Sequence, residues 1–117
     1  MIDDTEELLE LTRRLLQSRG YETVTLNTGK DAIEIIRKEQ PDLIILDMLL
    51  PDKDGSDICK EIKSDNSLRK IPVILSTGQL MESQDILNPE SVGADDFLMK
   101  PFEIDDLLNK IQKWLSQ

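Results

Sequence analysis

Apolar positions along the chain fall into two alternating rhythms, one of period near 3.6 and one of short continuous runs. Residues 5–19 carry Leu8, Leu9, Leu11, Leu15 and Leu16, a broad helical face with Thr5 as cap and Gly20 as stop. Residues 22–26 alternate and are rich in β-formers, which predicts a short strand. Residues 30–39 place Ala32, Ile33, Ile35 and Ile36 on one helical face and end at Gln40-Pro41. Residues 43–47 are a continuous apolar run closed by a carboxylate, the pattern of a strand covered on both faces. Ile58, Cys59 and Ile62 predict a helix over residues 56–64. Residues 72–77 read as a second buried strand, and 97–99 as a shorter one. Ile104, Leu107, Leu108, Ile111 and Leu115 form one stripe, which predicts a closing helix over 104–115. Strands separated by helices imply an α/β fold: a parallel sheet with helices on both faces. No linker, repeat or low-complexity segment interrupts the pattern, so residues 1–117 are expected to form one domain.

Two places break the rhythm. Residues 79–93 should hold a crossover helix, but Pro89 removes a backbone donor there and clashes with the preceding turn. The helix is expected to form poorly before Pro89, leaving residues 80–88 mobile. At the other end, only Met1 and Ile2 precede Asp3-Asp4, too few apolar residues for a central strand. The first strand is therefore expected to be truncated, with edges of its neighbours left unpaired.

Charge and composition then remove whole classes of function. Asp and Glu total 24 against 14 Lys and Arg, a formal net charge of -10, which argues against direct nucleic-acid binding. No apolar run is long enough to span a bilayer, and no signal peptide is recognisable, so no membrane contact and a cytoplasmic location are expected. The single cysteine, Cys59, cannot form an internal disulfide. The absence of histidine removes Ser-His-Asp and Cys-His catalysis and histidine metal ligands. What remains is chemistry on carboxylates, hydroxyls, lysines and a metal bound through oxygen.

In open parallel sheets, ligands gather at the carboxyl ends of the strands. Those ends carry Asp3 and Asp4, then Asp47, then Thr77, then Lys100. Three crowded carboxylates repel one another, a conflict that a hard divalent cation such as Mg²⁺ resolves. Thr77 adds a hydroxyl and Lys100 a point charge, both suited to a phosphoryl group, and an aspartate can serve as the acceptor.

Four blocks of sequence carry a family resemblance. The run from Pro41 through Asp47 to Pro51, followed by Asp54-Gly55, resembles the phosphoacceptor segment of two-component response-regulator receiver (CheY-like) domains. The stretch from Ile71 to Thr77 is similar to that family's fourth strand with its switch threonine, and that from Gly93 to Phe102 to its fifth strand and Lys-Pro turn. Asp3-Asp4 matches the acidic pair after the first strand. The resemblance implies a flavodoxin-like, doubly wound five-stranded sheet of order 2-1-3-4-5. It implies Mg²⁺ held by Asp3, Asp4, Asp47 and the backbone carbonyl of Leu49. Asp47 would be the phosphoacceptor, assisted by Thr77 and Lys100, with Thr77 and Phe97 as the switch pair. Phe97 stands where the family often has Tyr, so it has no hydroxyl to donate. The implied donor is a phosphohistidine on a histidine kinase or histidine phosphotransfer protein. A homodimer or partner contact would use the face of the fourth helix, fifth strand and fifth helix. No independent turnover is implied beyond self-dephosphorylation.

Each residue also has a plainer reading. Asp47 could be a turn aspartate, Asp3-Asp4 a solvated terminus, Thr77 an ordinary strand residue, Lys100 a surface lysine and Phe97 simple core packing. The competing function is a phosphorylation-independent adaptor of receiver fold. An aspartate-nucleophile phosphatase is a third reading, weakened because Leu49 stands where such enzymes usually carry an acid/base carboxylate.

Overall fold

The computed structural model describes residues 1–78 and 93–116. Among these residues four helices and three strands follow in the order α1 (Glu6–Ser18), α2 (Ala32–Glu39), β1 (Ile44–Asp47), α3 (Gly55–Ser64), β2 (Val73–Thr77), β3 (Asp96–Met99) and α4 (Ile104–Leu115). The sequence-based expectation for residues 79–93, including Pro89 and the segment 80–88, falls almost wholly outside the described residues.

The strands pair in parallel in the order β1-β2-β3, with Ile45 opposite Ile74 and Leu75 opposite Phe97. Two further sheet positions are reduced to single residues: Ile2 bridges both Leu26 and Leu46 in parallel. Read across the sheet, the sequence Leu26, Ile2, β1, β2, β3 is the expected 2-1-3-4-5 order. The predicted strand at 22–26 thus forms a bridge at Leu26, with the Val24 carbonyl accepting from the Met1 amine at 2.7 Å. Its alternation is sound, but a ladder needs a partner of equal length, and Met1-Ile2 offers one rung.

β1 is buried at every position because it is covered on both faces. On one face Ile44, Leu46, Val73 and Leu75 pack with Ala32 and Ile36 of α2 and Ile58, Cys59 and Ile62 of α3. On the other, Ile45, Ile74 and Leu98 pack with Leu16 of α1 and Leu107, Leu108 and Ile111 of α4. Each fully buried Leu or Ile contributes about 1.5–3 kcal/mol of apolar transfer, so the two layers hold the strand ends in fixed relation.

Helix boundaries follow local chemistry. Gly20 takes φ +89 just past α1, a conformation costly for other residues. Gln40 closes α2 at φ 46, since the residue before Pro41 cannot continue the helix. Thr5 does precede α1, but its side chain makes no capping bond; its amide instead donates to Asp3 Oδ1 at 2.9 Å. α2 begins at Ala32, two residues later than the pattern predicts, because the loop before it is tied elsewhere: the Gly29 amide donates to Asp52 Oδ1 at 2.9 Å.

Candidate functional site

The first rung of the sheet positions the acidic residues. The Ile2 amide donates to the Ile45 carbonyl and the Asp47 amide donates to the Ile2 carbonyl, both at 2.8 Å. On the far side the Asp3 amide donates to the Leu26 carbonyl at 3.0 Å. Asp3 and Asp47 are thereby brought to the carboxyl edge of adjacent chain segments, 0% and 5% exposed.

Lys100 enters from β3. Its amide donates to the Thr77 carbonyl at 2.8 Å, which fixes the backbone where the strand ends, and its peptide bond to Pro101 is cis. Its ammonium donates to Asp3 Oδ2 at 2.6 Å and to Asp47 Oδ2 at 3.3 Å. One cation therefore spans two carboxylates that come from sequence positions far apart. Asp4 is exposed, yet it offers a carboxylate oxygen that lies with those of Asp3 and Asp47, all within 4.8 Å of one another. Thr77 is buried at the end of β2. Phe97 is half-buried against the core that α2 and α3 cover.

The electrostatics follow from this crowding. Burial, then the charge of Asp3, pushes the Asp47 carboxyl above its ordinary value, with Lys100 and the Leu49 amide pulling the other way. Burial works against a charged Lys100, but its hydrogen bonds and charge contacts with Asp3 and Asp47 outweigh that and raise its pKa. Three carboxylates beside one ammonium leave an excess of negative charge. The donor set is all oxygen, close-set and net acidic, which fits Mg²⁺ and does not suit softer metals that seek histidine or thiolate. Cys59 is buried in the core between α2 and α3, its thiol pushed up to about 11 by burial.

The loop after β1 is held by contacts the sequence reading did not single out. The Leu49 amide donates to Asp47 Oδ1 at 3.3 Å, Leu49 forms an antiparallel bridge with Asp54, and the Gly55 amide donates to the Met48 carbonyl at 2.7 Å. A Cβ at Gly55 would lie 2.1 Å from the Asp47 carbonyl oxygen, so only glycine fits. The Asp54-Gly55 pair was visible as a motif, but its close approach to Asp47 was not. The Thr5 amide on Asp3 is likewise invisible to side-chain patterns.

Fold and site together define a class: a doubly wound parallel α/β domain with an acidic, oxygen-donor site at the carboxyl edge of its sheet. The family model for the response regulator receiver domain matches residues 1–112. The chain belongs to that family and is a signalling domain of the two-component type. It is 31% identical over its whole length to the DNA-binding response regulator MtrA of Mycolicibacterium paratuberculosis, covering 50% of that protein. The chain thus spans about half the length of the curated relatives it matches. Among solved structures, it is similar to the signal receiver domain of a signal transduction histidine kinase from Syntrophus aciditrophicus. That similarity has a TM-score of 0.88 and 34% identity, covering 98% of this chain and 86% of that one. It is similar too to the BeF3-activated N-terminal receiver domain of Klebsiella pneumoniae RstA, with a TM-score of 0.85 and 30% identity over 99% of this chain and 96% of that one. No helix among the described residues is long and apolar enough to cross a membrane.

Proposed function

We propose that residues 1–117 act as a single receiver domain that accepts a phosphoryl group on Asp47 from a phosphohistidine of a histidine kinase or histidine phosphotransfer protein. The observation that carries this reading is the Lys100 ammonium, hydrogen-bonded at once to Asp3 and Asp47 at the carboxyl edge of the sheet. One Asp47 carboxylate oxygen attacks phosphorus, the donor's P–N bond breaks, and its electron pair remains on the imidazole nitrogen, which takes a proton from solvent. Lys100 stays beside the new acyl phosphate and neutralises its oxygens. The Thr77 hydroxyl takes one phosphoryl oxygen, and Thr77 with Phe97 transmits the change to the face formed by β3 and α4. Asp3, Asp4, Asp47 and the Leu49 carbonyl would hold Mg²⁺, which supplies charge neutralisation to the phosphoryl group when bound. The domain works in the cytoplasm as a switch for a partner or a second copy, without turnover of its own beyond self-dephosphorylation, and makes no direct contact with nucleic acid.

The test is intact mass after incubation with Mg²⁺ and acetyl phosphate or a phosphohistidine donor. One phosphoryl mass is expected on the wild type and none on Asp47→Asn; labelling that survives the substitution overturns the assignment. A phosphorylation-independent adaptor is the second reading, favoured by Phe97, which has no hydroxyl to donate at the switch position. Against it stands Asp3, fully buried and already held by the Thr5 amide and Lys100. Mg²⁺ titration separates the two readings, since an adaptor has no need of the cation.

A further inference from the structure

The loop after β1 doubles back on itself. Leu49 bridges Asp54 in the antiparallel sense and the Leu50 amide donates to the Lys53 carbonyl at 3.3 Å, so residues 49–54 form a small hairpin with Pro51 and Asp52 at its tip. Its base is closed tightly by the Gly55 amide on the Met48 carbonyl at 2.7 Å. The bonds around Leu49 are longer: its own amide reaches Asp47 Oδ1 at 3.3 Å, the same length as the bond between Leu50 and Lys53. A two-stranded turn of this size is marginal in water by itself, so its tip needs a hold from outside.

That hold comes from the turn before α2. The Gly29 amide is buried and donates to Asp52 Oδ1 at 2.9 Å, across 23 positions of sequence. A buried backbone donor is costly without an acceptor, and a carboxylate is a strong one. The two loops touch closely there, since a Cβ at Gly29 would lie 3.3 Å from both Leu50 Cδ1 and Lys53 Cβ. The Gly29 carbonyl in turn accepts from the Ala32 amide at 3.2 Å, which ties the anchor to α2, whose Ala32 and Ile36 are packed in the core.

We infer that Asp52 is a positioning residue for the cation: by holding the tip of the 49–54 hairpin to Gly29, it sets the place of the Leu49 carbonyl. The inference rests on the reading that this carbonyl joins Asp3, Asp4 and Asp47 in holding Mg²⁺. Among the described residues, those three carboxylates are the ones close enough to share an ion, so Asp52 acts through the backbone and not as a ligand. The cation makes such a hold matter. Mg²⁺ demands a near-ideal octahedral shell with short bonds, whereas Ca²⁺ accepts longer and less regular ones. A backbone oxygen on an untethered hairpin can satisfy the second ion more easily than the first.

The experiment compares residues 1–117 as wild type, Asp52→Ala and Asp52→Asn. Both variants lose the same charge, but Asn keeps an oxygen for the Gly29 amide, so the difference between them isolates the bond from the electrostatics. Amide exchange without metal is followed by NMR, Mg²⁺ and Ca²⁺ affinity by calorimetry, and melting by circular dichroism. Relative to Asp52→Asn, Asp52→Ala should speed exchange at Gly29 and Leu50 by about tenfold. It should also weaken Mg²⁺ binding by about tenfold and Ca²⁺ binding by less, while the two variants melt together because Asp52 is exposed. Equal Mg²⁺ affinity in the two variants would overturn the inference, as would equal losses for Mg²⁺ and Ca²⁺. A wild type that takes up no Mg²⁺ would overturn the cation site itself, a failure read from the wild type alone.

Discussion

Replacing Gly55 by Ala tests whether the loop after β1 sets the position of Asp47. A Cβ at that position would sit 2.1 Å from the Asp47 carbonyl oxygen, 2.8 Å from Met48 Cα and 2.9 Å from the Asp47 carbonyl carbon. The nearest contact is more than 1 Å short of ordinary van der Waals separation, and every atom it meets is backbone. Those atoms cannot yield freely. The Asp47 amide is bonded to Ile2 at 2.8 Å, and the Gly55 amide to the Met48 carbonyl at 2.7 Å. Overpacking of this kind costs about 1–3 kcal/mol, against which alanine's better helix propensity returns at most about 1 kcal/mol. The net expectation is a loss of roughly 1–2 kcal/mol in urea melts, together with a displaced Asp47. A reacting group misplaced by about 1 Å loses on the order of 100-fold in rate, so phosphorylation by acetyl phosphate at saturating Mg²⁺ should fall far more than stability does. Gly78→Ala is the control, because its Cβ would meet Lys100 Cβ at an ordinary 3.6 Å and should leave both readouts near wild type. A Gly55→Ala chain that melts and phosphorylates like the wild type refutes the reasoning.

Three further outcomes follow from the charged clusters. Lys100→Ala strips the cation from fully buried Asp3 and should cost roughly 3 kcal/mol without metal, at the low end for a broken buried pair because the lysine is partly exposed; millimolar Mg²⁺ should recover part of it in the same thermal melt. Asp65 is held down to about 2 from an ordinary 3.8, first by the Ser67 hydroxyl, then by Arg37 and the Ser67 amide. A depressed carboxylate stabilises the fold above its unfolded pKa and loses that contribution as pH falls from about 4 to about 2, so the wild-type advantage over Asp65→Asn should be level at neutral pH and vanish across that window in acid titrations. Trp114→Phe removes the indole donor to Asp96 Oδ2 at 2.9 Å and should cost about 1 kcal/mol by circular dichroism, with Lys110 still on the other oxygen; a loss above about 3 kcal/mol would mean the ring does more than hydrogen-bond.

Elements whose fate is decided by their own residues were legible in the sequence. β1 is a run of consecutive apolar residues, and a strand buried on both faces can look like nothing else of that length. α4 carries its core contacts at helical spacing, and Leu107, Leu108 and Ile111 are all buried as the stripe predicts. Residues 22–26 show the opposite case, for local β-propensity cannot supply a partner. Lys63 shows another. Its ammonium donates to the carbonyls of Arg69 and Ile71 and to Asp95 Oδ2. That role depends on the turn after α3 folding back and on Asp95 arriving 32 residues later. Neighbouring Asp95 and Asp96, alike in sequence, are divided the same way: Asp95 accepts from Lys63 and the Val73 amide, Asp96 from Lys110 and Trp114.

The acidic cluster was legible for a topological reason, since parallel strands end on one side and whatever follows each must meet there. That logic needs a strand before Asp3, and the chain supplies only Met1 and Ile2. The structure resolves the tension by using the last rung alone. Ile2 is 3% exposed, its amide donating to Ile45 and its carbonyl accepting from Asp47, and these bonds, with the Asp3 amide on Leu26 and the Thr5 amide on Asp3 Oδ1, fix the carboxylate that Lys100 reaches. The residues of a strand are thus unequal in what they do. Those near its carboxyl end aim the chemistry, and those before them fill the core and close the ladder. Ile2 and Asp3 fill the first role here through the bonds to Ile45, Asp47 and Leu26, which is why Asp3 sits in place beside Asp47.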